Sequence, residues 1–138
     1  MTRVFVNTSA LLALLDRADP RHEAVRSAFA ELEDAELVTH GYVVAESLAV
    51  ARRRFGLDGV IALLDDVLPV VSILAVEPEL HLRVQARYRD SLPSGISFVD
   101  RISFAVIERE ALDAALATDA DFRASGVPLI PGVVEPTT

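Results

Sequence analysis

The chain has 138 residues, of which 13 are basic and 21 are acidic, so its formal net charge is −8. This length fits one domain over residues 1–138, and a hydrophobic share of 51% supplies a packed core and excludes intrinsic disorder. There is no Cys and every basic residue is Arg, which excludes disulfide frameworks, thiolate zinc sites, cysteine nucleophiles and lysine-based chemistry.

The first half of the chain alternates short β-branched runs with helical patterns. A polar triplet, Asn7-Thr8-Ser9, follows the first apolar run, and Thr8 or Ser9 is placed to cap the next helix. His40 breaks the second apolar run, and Gly56 ends the helix after it. We therefore predict strands at 3–6 and 37–39, and helices at 10–16, 19–34, 42–55 and 57–68.

The same alternation continues to the end of the chain. Ser97 is placed to cap a helix, and Pro128 indicates that the last strand lies at an edge of its sheet, since Pro cannot donate to a strand ladder. We predict strands at 71–76, 114–117 and 127–130, helices at 77–91 and 98–110, and a short helical turn at 121–124.

Alternation of strands and helices with short connections predicts an α/β fold with a central parallel sheet of about five strands flanked by helices. Crossovers between parallel strands are right-handed, so the carboxyl ends of all the strands lie at one edge of the sheet. Ligands of such folds bind at that edge. The longest apolar stretch, residues 61–76, is interrupted by charges and Pro, so we expect no membrane span, and we expect a cytoplasmic protein without a signal peptide.

Polar side chains from remote parts of the chain fall at the predicted binding edge. Asn7 ends the first strand, Glu46 lies early in the helix after the second, Asp100 lies in the first turn of a later helix, and Asp119 and Asp121 follow the fourth strand. Clustered carboxylates need a compensating cation. Oxygen ligands suit Mg²⁺ or Mn²⁺, and such ions support phosphodiester cleavage.

Each of these residues also has an ordinary structural explanation. Asn7 can be a helix cap, and Glu46 can be an exposed charge on a helix. Asp100 can stabilise its helix by interacting with the positive end of the helix dipole. Asp119 and Asp121 can cap a turn in solvent. Their joint placement at one edge favours the functional interpretation, most clearly for Glu46, Asp100 and Asp119.

Four segments, in chain order, carry a family resemblance: VFVNTSALLALL, VVAESLAVARRR, SFVDRISFAVIERE and ATDADF. They resemble the motifs of PIN-domain ribonucleases and, more narrowly, of the VapC-type toxins of bacterial toxin–antitoxin pairs. The resemblance covers essentially the whole chain and implies a single PIN domain with a three-layer fold. It also implies an Mg²⁺- or Mn²⁺-dependent endonuclease that inhibits translation by cleaving RNA of the tRNA or rRNA class. The implied partners are a cognate VapB-type antitoxin and a second copy of the chain, giving a homodimer and a heterotetramer or larger assembly with the antitoxin.

The resemblance also assigns roles to single residues. It implies that Glu46, Asp100, Asp119 and the residue at position 7 are catalytic, and that Asn7, Asp100, Asp119 and the auxiliary Asp121 hold the metal. Hydroxyl groups that would support these acids or a water are those of Thr8, Ser9 and Thr118.

One position departs from the family pattern. The first motif of the family reads Asp-Thr-Ser, whereas this chain has Asn7, its only Asn. An amide keeps one carbonyl oxygen but loses the charge and half of the ligating capacity, so we expect weaker metal binding and very slow chemistry. Our preferred hypothesis is a deliberate Asp→Asn replacement that permits expression of a toxic nuclease. The rival hypothesis is a natural variant that binds without cleaving.

Basic residues and histidines complete the set of candidates. The only dense basic run, Arg52-Arg53-Arg54, is a candidate for RNA phosphate contact or antitoxin docking, with Arg52 and Arg53 as its RNA-binding candidates. Arg101 and Arg123, each close to an acid, are further candidates for contacting RNA phosphates. Their alternatives are a solvated helix end for the run and salt bridges for Arg101 and Arg123. His40 is expected to be a loop residue rather than a ligand. The other two histidines, at 22 and 81, are expected at the surface.

Two other functions compete with nuclease activity. One is a catalytically dead PIN-like module that holds an antitoxin or RNA, which Asn7 favours. The other is a receiver-like or haloacid-dehalogenase-like phosphotransfer domain, which also uses acids at strand ends. The absence of Lys and of a DxDxT motif after the first strand counts against the phosphotransfer alternative.

Overall fold

A computed structural model of the protein describes residues 1–132. The last six residues of the predicted domain lie outside this range. The described chain contains five strands and five longer helices, with shorter helical turns in several of the connections. In chain order they are β1 (Arg3–Val6), α1 (Thr8–Leu15), α2 (His22–Glu31), β2 (Glu36–His40), α3 (Gly41–Ala62), β3 (Ser72–Leu74), α4 (Pro78–Asp90), α5 (Phe98–Glu110), β4 (Ala114–Ala117) and β5 (Leu129–Pro131).

The strands form one parallel sheet in the order β3-β2-β1-β4-β5, which confirms the predicted α/β fold with a central five-stranded parallel sheet. In β1, the central strand, Phe5 pairs with Val38 of β2 and with Ala115 of β4. All three residues are fully buried, as expected for a parallel sheet covered on both faces. Pro128 immediately precedes β5, which lies at the edge of the sheet as predicted.

The core lies between the sheet and the flanking helices. Phe122, from the turn after β4, is fully buried, and its ring stacks on Phe5 with a centroid separation of 5.9 Å. Phe104 of α5 meets the same ring edge-on at 5.1 Å. Aromatic packing of this kind fixes α5 and the β4–β5 connection against the sheet. No helix in residues 1–132 has the length and apolar character needed to cross a membrane.

The start of α1 differs from the prediction. Asn7, rather than Thr8 or Ser9, is the residue before the helix, and its backbone oxygen accepts hydrogen bonds from the amides of Ala10 and Leu11, both at 3.2 Å. The Ser9 hydroxyl accepts a hydrogen bond from the Thr118 amide at 3.1 Å instead of capping the helix. The capping prediction is therefore wrong, because the amide of Thr118, the residue after β4, binds this hydroxyl, and no local pattern reveals that contact.

Other element boundaries also differ from the prediction: β3 (Ser72–Leu74) is shorter than the predicted strand at 71–76, and β5 begins two residues after its predicted start. The predicted helix at 19–34 is shorter, because Asp19 accepts a hydrogen bond from the Arg21 amide at 2.8 Å in a turn that precedes α2. The predicted helices at 42–55 and 57–68 are joined across a kink at Gly56, where φ is +71° and ψ is −160°. That φ lies in the left-handed region that glycine tolerates, so the glycine redirects the chain without separating the two segments.

Candidate functional site

A pocket of about 310 Å³ lies where β1 and β4 end. Every predicted catalytic position lines it. The full set of lining residues is Asn7, Thr8, Ser9, Leu12, Asp19, Arg21, Glu46, Arg54, Ser97, Asp100 and Asp119.

The sheet places Asn7 and Asp119 in this pocket. β1 and β4 are adjacent and parallel, with Val6 opposite Leu116, and the Asn7 amide donates to the Leu116 oxygen at 3.0 Å. The residues that follow the two strands therefore emerge at the same edge of the sheet. Asn7 is 1% exposed, and Asp119 is half-buried.

Two helices supply the other acids. Asp100 lies in the first turn of α5, where its amide donates to the Ser97 hydroxyl at 3.1 Å, which confirms Ser97 as the cap. Glu46 lies in the second turn of α3, which begins directly after β2. Both side chains are partly buried. Carboxylates separated by more than fifty residues in the sequence thus share one pocket.

The polar side-chain atoms around Asn7 are of two kinds, those with a hydrogen-bond partner and those without. Ser9 bridges β1 and β4: its hydroxyl accepts from the Thr118 amide at 3.1 Å and from the Asn7 side-chain amide at 3.4 Å. The Asn7 side-chain oxygen and the Thr8 and Thr118 hydroxyls are buried without a hydrogen-bond partner in the described part of the chain. A buried polar oxygen without a partner is costly, so these atoms indicate a site built to receive a ligand.

The carboxylates perturb one another electrostatically. Burial, together with the neighbouring charges of Asp119, Glu46 and Asp121, raises the pKa of Asp100 to about 6. Burial also raises the pKa of Asp119, which the Arg21 guanidinium opposes. Clustered acids with raised pKa values are typical of sites that bind a cation or transfer protons.

The donor set fits a hard divalent cation in its chemistry. Carboxylate oxygens and an unpartnered amide oxygen are the ligands that Mg²⁺ and Mn²⁺ prefer, and a cation would relieve the repulsion among the acids. Within residues 1–132, however, no group of three His, Asp or Glu side chains has an arrangement that could hold a metal ion. Asn7, whose side-chain oxygen is buried without a partner in the described residues, lines the same pocket as these acids.

Several predicted candidates do not line the pocket. Asp121 is exposed, and its charge raises the pKa values of Asp100 and Asp119. Arg52 and Arg53 are exposed on α3 outside the pocket, and Arg101 donates to the Ser94 hydroxyl at 3.2 Å. A separate shallow cleft beside β5 contains Arg123.

Arg21 and Arg54 line the pocket. Arg21 was not among the candidates from the sequence, and Arg54 was a candidate only as a member of the basic run. Arg54 could have been found, because it lies eight residues after Glu46 on the same helix, a separation that places both on one face. Arg21 lies in the turn before α2, and no local pattern places that turn beside the carboxylates.

The prediction that His40 is a loop residue is wrong. His40 ends β2, is fully buried, and its Nε2 lies 2.8 Å from the Ser103 hydroxyl of α5. Burial lowers its pKa to about 4, so it is neutral at physiological pH. The other two histidines are partly buried rather than superficial: His22 lies 2.8 Å from the Ala13 oxygen, and His81 contacts Tyr42.

Comparison with known proteins identifies the family that shares this architecture. A family model described as "PIN domain" matches residues 4–127. The 23S rRNA-specific endonuclease VapC20 of Mycobacterium tuberculosis is 30% identical over 127 residues, which cover 89% of this chain and 94% of that protein. The ribonuclease VapC26 of the same species is 35% identical over 91 residues, which cover 63% of this chain and 67% of that protein.

Solved structures agree with the sequence comparisons. The crystal structure of VapC20 from Mycobacterium tuberculosis, described as a sarcin–ricin-loop-cleaving toxin, has a TM-score of 0.80 at 30% identity, with coverage of 90% of this chain and 95% of that chain. VapBC2 from Rickettsia felis, bound to a promoter DNA fragment, has a TM-score of 0.69 at 12% identity, with coverage of 93% and 97%. The second likeness concerns the fold alone.

Proposed function

Because the chain belongs to the PIN-domain family and, within it, to the VapC-type proteins, we propose that it is a divalent-metal-dependent RNA endonuclease, the toxin of a toxin–antitoxin pair. The observation that carries this proposal is the pocket that gathers Glu46, Asp100 and Asp119 around the unpartnered oxygen of Asn7. The phosphotransfer alternative loses its support with the family assignment.

The residues that would hold Mg²⁺ or Mn²⁺ are Asp100, Asp119 and the side chain at position 7, with Asp121 as an auxiliary. When bound, such a cation supplies positive charge to the phosphate and acidifies water. Ser9, which bridges β1 and β4, keeps positions 7 and 119 together. Thr8 and Thr118 present buried hydroxyls to the same region.

The chain's own residues account for the proton transfer and the orientation of the reactants. Glu46 orients a water molecule and accepts its proton while the water oxygen forms a bond to phosphorus. The bond from phosphorus to the 3′ oxygen breaks, and that oxygen takes up a proton from solvent, which leaves 5′-phosphate and 3′-hydroxyl ends. Asp100 and Asp119 must be ionised for metal binding, so their raised pKa values predict that activity falls in acid.

Asn7 is the reason that this chain should bind RNA far better than it cleaves RNA. Replacing a carboxylate by an amide removes a negative charge and one ligating oxygen, which weakens the metal site. A catalytically dead binding module is therefore the second candidate function. The codon at position 7 of the native gene decides whether Asn7 is natural or a deliberate replacement.

The partners follow from the relatives. We propose a VapB-type antitoxin as the inhibitor, with a toxin homodimer and a heterotetramer or larger complex as the assemblies. The substrate is an RNA of the tRNA or rRNA class in the cytoplasm, and the 23S rRNA named for VapC20 is the first to test.

A cleavage assay tests the proposal. Asn7→Asp protein should cleave 23S rRNA in Mn²⁺ and not in EDTA, while the Asn7 protein cleaves at least 100-fold more slowly, by analogy with the loss of a catalytic group. The matched control is Asp119→Asn in the Asn7→Asp background, which should be inactive. Cleavage that EDTA leaves undiminished would refute metal dependence. If the Asn7→Asp protein binds metal but cleaves neither rRNA nor tRNA, the binding module is the correct function.

A further inference from the structure

The candidate pocket is not purely acidic. Four carboxylates line it, those of Asp19, Glu46, Asp100 and Asp119, but so do two guanidinium groups, those of Arg21 and Arg54. A phosphodiester is an anion and is repelled by a carboxylate cluster. The two arginines are the positive charge that the chain itself supplies at this position.

Arg21 is held at the pocket by its backbone. Its amide donates to the Asp19 carboxylate at 2.8 Å, and its own oxygen accepts from the Val25 amide at 3.0 Å, which begins α2. The side chain is 31% exposed, and its only ion pair in the described residues is a long one, 3.5 Å from Nε to Asp19. The Nε–H is buried and lacks a hydrogen bond, so most of the five donors of this guanidinium are unused.

Arg54 reaches the pocket from α3. Its guanidinium lies over the ring of the neighbouring Phe55 at 5.0 Å and 3.7 Å from the Asp16 carboxylate at the end of α1. The side chain is 49% exposed. The stacking contact limits its motion, while the single long ion pair leaves donors available. Arg54 lies two residues before the kink at Gly56.

The two arginines and the acids come from different parts of the fold. Arg21 and Arg54 belong to the α1–α2 connection and to α3, whereas Asp100 and Asp119 belong to α5 and to the end of β4. The charge of Arg21 nevertheless reaches Asp119, whose pKa it lowers against the effect of burial. The pocket therefore contains a cationic group next to its acidic group.

We propose that Arg21 and Arg54 form a phosphate-binding subsite that holds the backbone of the RNA beside the carboxylates. Guanidinium groups bind phosphate through paired, charge-assisted hydrogen bonds, which is the geometry that unused forked donors offer. This inference rests on the proposed nuclease function. Within the basic run, it assigns the RNA contact to Arg54 rather than to Arg52 and Arg53.

The test uses the full chain with Asn7, which should bind RNA without cleaving it, in EDTA so that no metal contributes. The probe is a fluorescein-labelled RNA hairpin with the sarcin–ricin-loop sequence, and the readout is fluorescence anisotropy over a series of salt concentrations. The variants are Arg21→Gln, Arg54→Gln and the double change. Arg52→Gln and Arg53→Gln are the matched controls, since they remove the same charge from adjacent positions outside the pocket.

Each single pocket variant should weaken binding by about 10-fold, and each should reduce the slope of log affinity against log salt by about 0.7, the value for one phosphate contact in single-stranded RNA. The control variants should change the affinity by less than about threefold. Arg21→Lys and Arg54→Lys, which keep the charge, should recover the salt slope but only part of the affinity, because they lose the paired hydrogen bonds.

The possible failures are distinguishable. If the Gln and Lys pocket variants bind the hairpin as tightly as the unaltered chain does, the subsite is wrong and the nuclease proposal stands. The same conclusion follows if the two controls lose as much affinity as the pocket variants. If the unaltered chain binds neither this hairpin nor a tRNA, in EDTA or in Mn²⁺, the proposed function itself fails. Melting temperatures measured in parallel show whether a Gln variant has lost its fold. If it has, the affinity of the Lys variant at the same position tests the subsite instead.

Discussion

Replacing Asp100 with Asn should make the metal-free protein more stable at neutral pH, although it removes a proposed metal ligand. Asp100 carries a penalty in the folded state, because burial and the charges of Asp119, Glu46 and Asp121 disfavour its ionised form. Asn has the same shape and no charge, and the backbone bond to the Ser97 hydroxyl does not depend on the carboxylate. The substitution removes the penalty without removing a cap.

The size of the effect follows from the pKa. A rise from 3.8 to about 6 corresponds to roughly 3 kcal/mol by proton linkage, and partial exposure to solvent reduces this to about 1–2 kcal/mol. Since the folded protein binds this proton more tightly than the unfolded chain does, the penalty is absent below the unfolded pKa and complete above the folded pKa. Stability from this group is therefore lost as the pH rises from about 4 to 6.

His40 acts in the opposite direction over nearly the same range. Its pKa falls from 6.5 to about 4 in the folded protein, so the unfolded chain binds the proton more tightly, and stability is lost as the pH falls from 6.5 towards 4. The pH dependence of the unaltered protein combines both groups with other shifted carboxyls, among them Asp119, whose pKa is also raised. Only the difference between the Asp100→Asn variant and the unaltered protein isolates the carboxylate.

Urea denaturation in EDTA measures this difference. At neutral pH the Asp100→Asn variant should gain about 1–2 kcal/mol in the free energy of unfolding, equivalent to a rise of roughly 3–10 °C in the melting temperature. Near pH 4 the gain should largely vanish. Asp66→Asn, at an exposed position, is the control and should show neither effect. A variant that is less stable than the unaltered protein at neutral pH would contradict the electrostatic account.

Three further predictions concern the scaffold that positions the site. Ser9→Ala leaves the buried Thr118 amide without its acceptor and should cost about 1–3 kcal/mol in the free energy of unfolding; an unchanged urea midpoint would show that this bridge is dispensable. Phe122→Ala, at a fully buried position stacked on Phe5, should cost about 3–5 kcal/mol, and calorimetry that finds less than 1 kcal/mol would contradict the described packing. Gly56→Ala places a side chain at a φ of +71° and should cost about 1 kcal/mol by thermal denaturation, whereas a stabilised protein would argue against the kink.

Elements whose signals are local were predictable from the sequence. β1, α5 and β4 have their predicted limits, because each combines an apolar run or stripe with a clear boundary, such as the Ser97 cap of α5. The parallel sheet followed from alternation, and Pro128 correctly indicated the edge. The shared location of Asn7 and Asp119 followed from parallel strands ending at one edge.

Features that depend on long-range contacts were not predictable. Ser9 bonds to the Thr118 amide, more than a hundred residues away, so a local capping rule assigned it the wrong partner. The buried His40–Ser103 pair joins β2 to α5, and nothing near His40 in the sequence indicates it. The position of Arg21 depends on the conformation of the α1–α2 connection. No periodic pattern in the sequence predicts that conformation.

A calorimetric titration with Mn²⁺ tests the central claim most directly, since that claim is a divalent cation site shared by position 7, Asp100 and Asp119. The Asn7→Asp protein should bind Mn²⁺ at least about 10-fold more tightly than the Asn7 protein, because a carboxylate replaces an amide ligand. Adding Asp119→Asn to the Asn7→Asp protein should abolish that gain. Equal Mn²⁺ affinity in all three proteins would show that these side chains do not form a metal site.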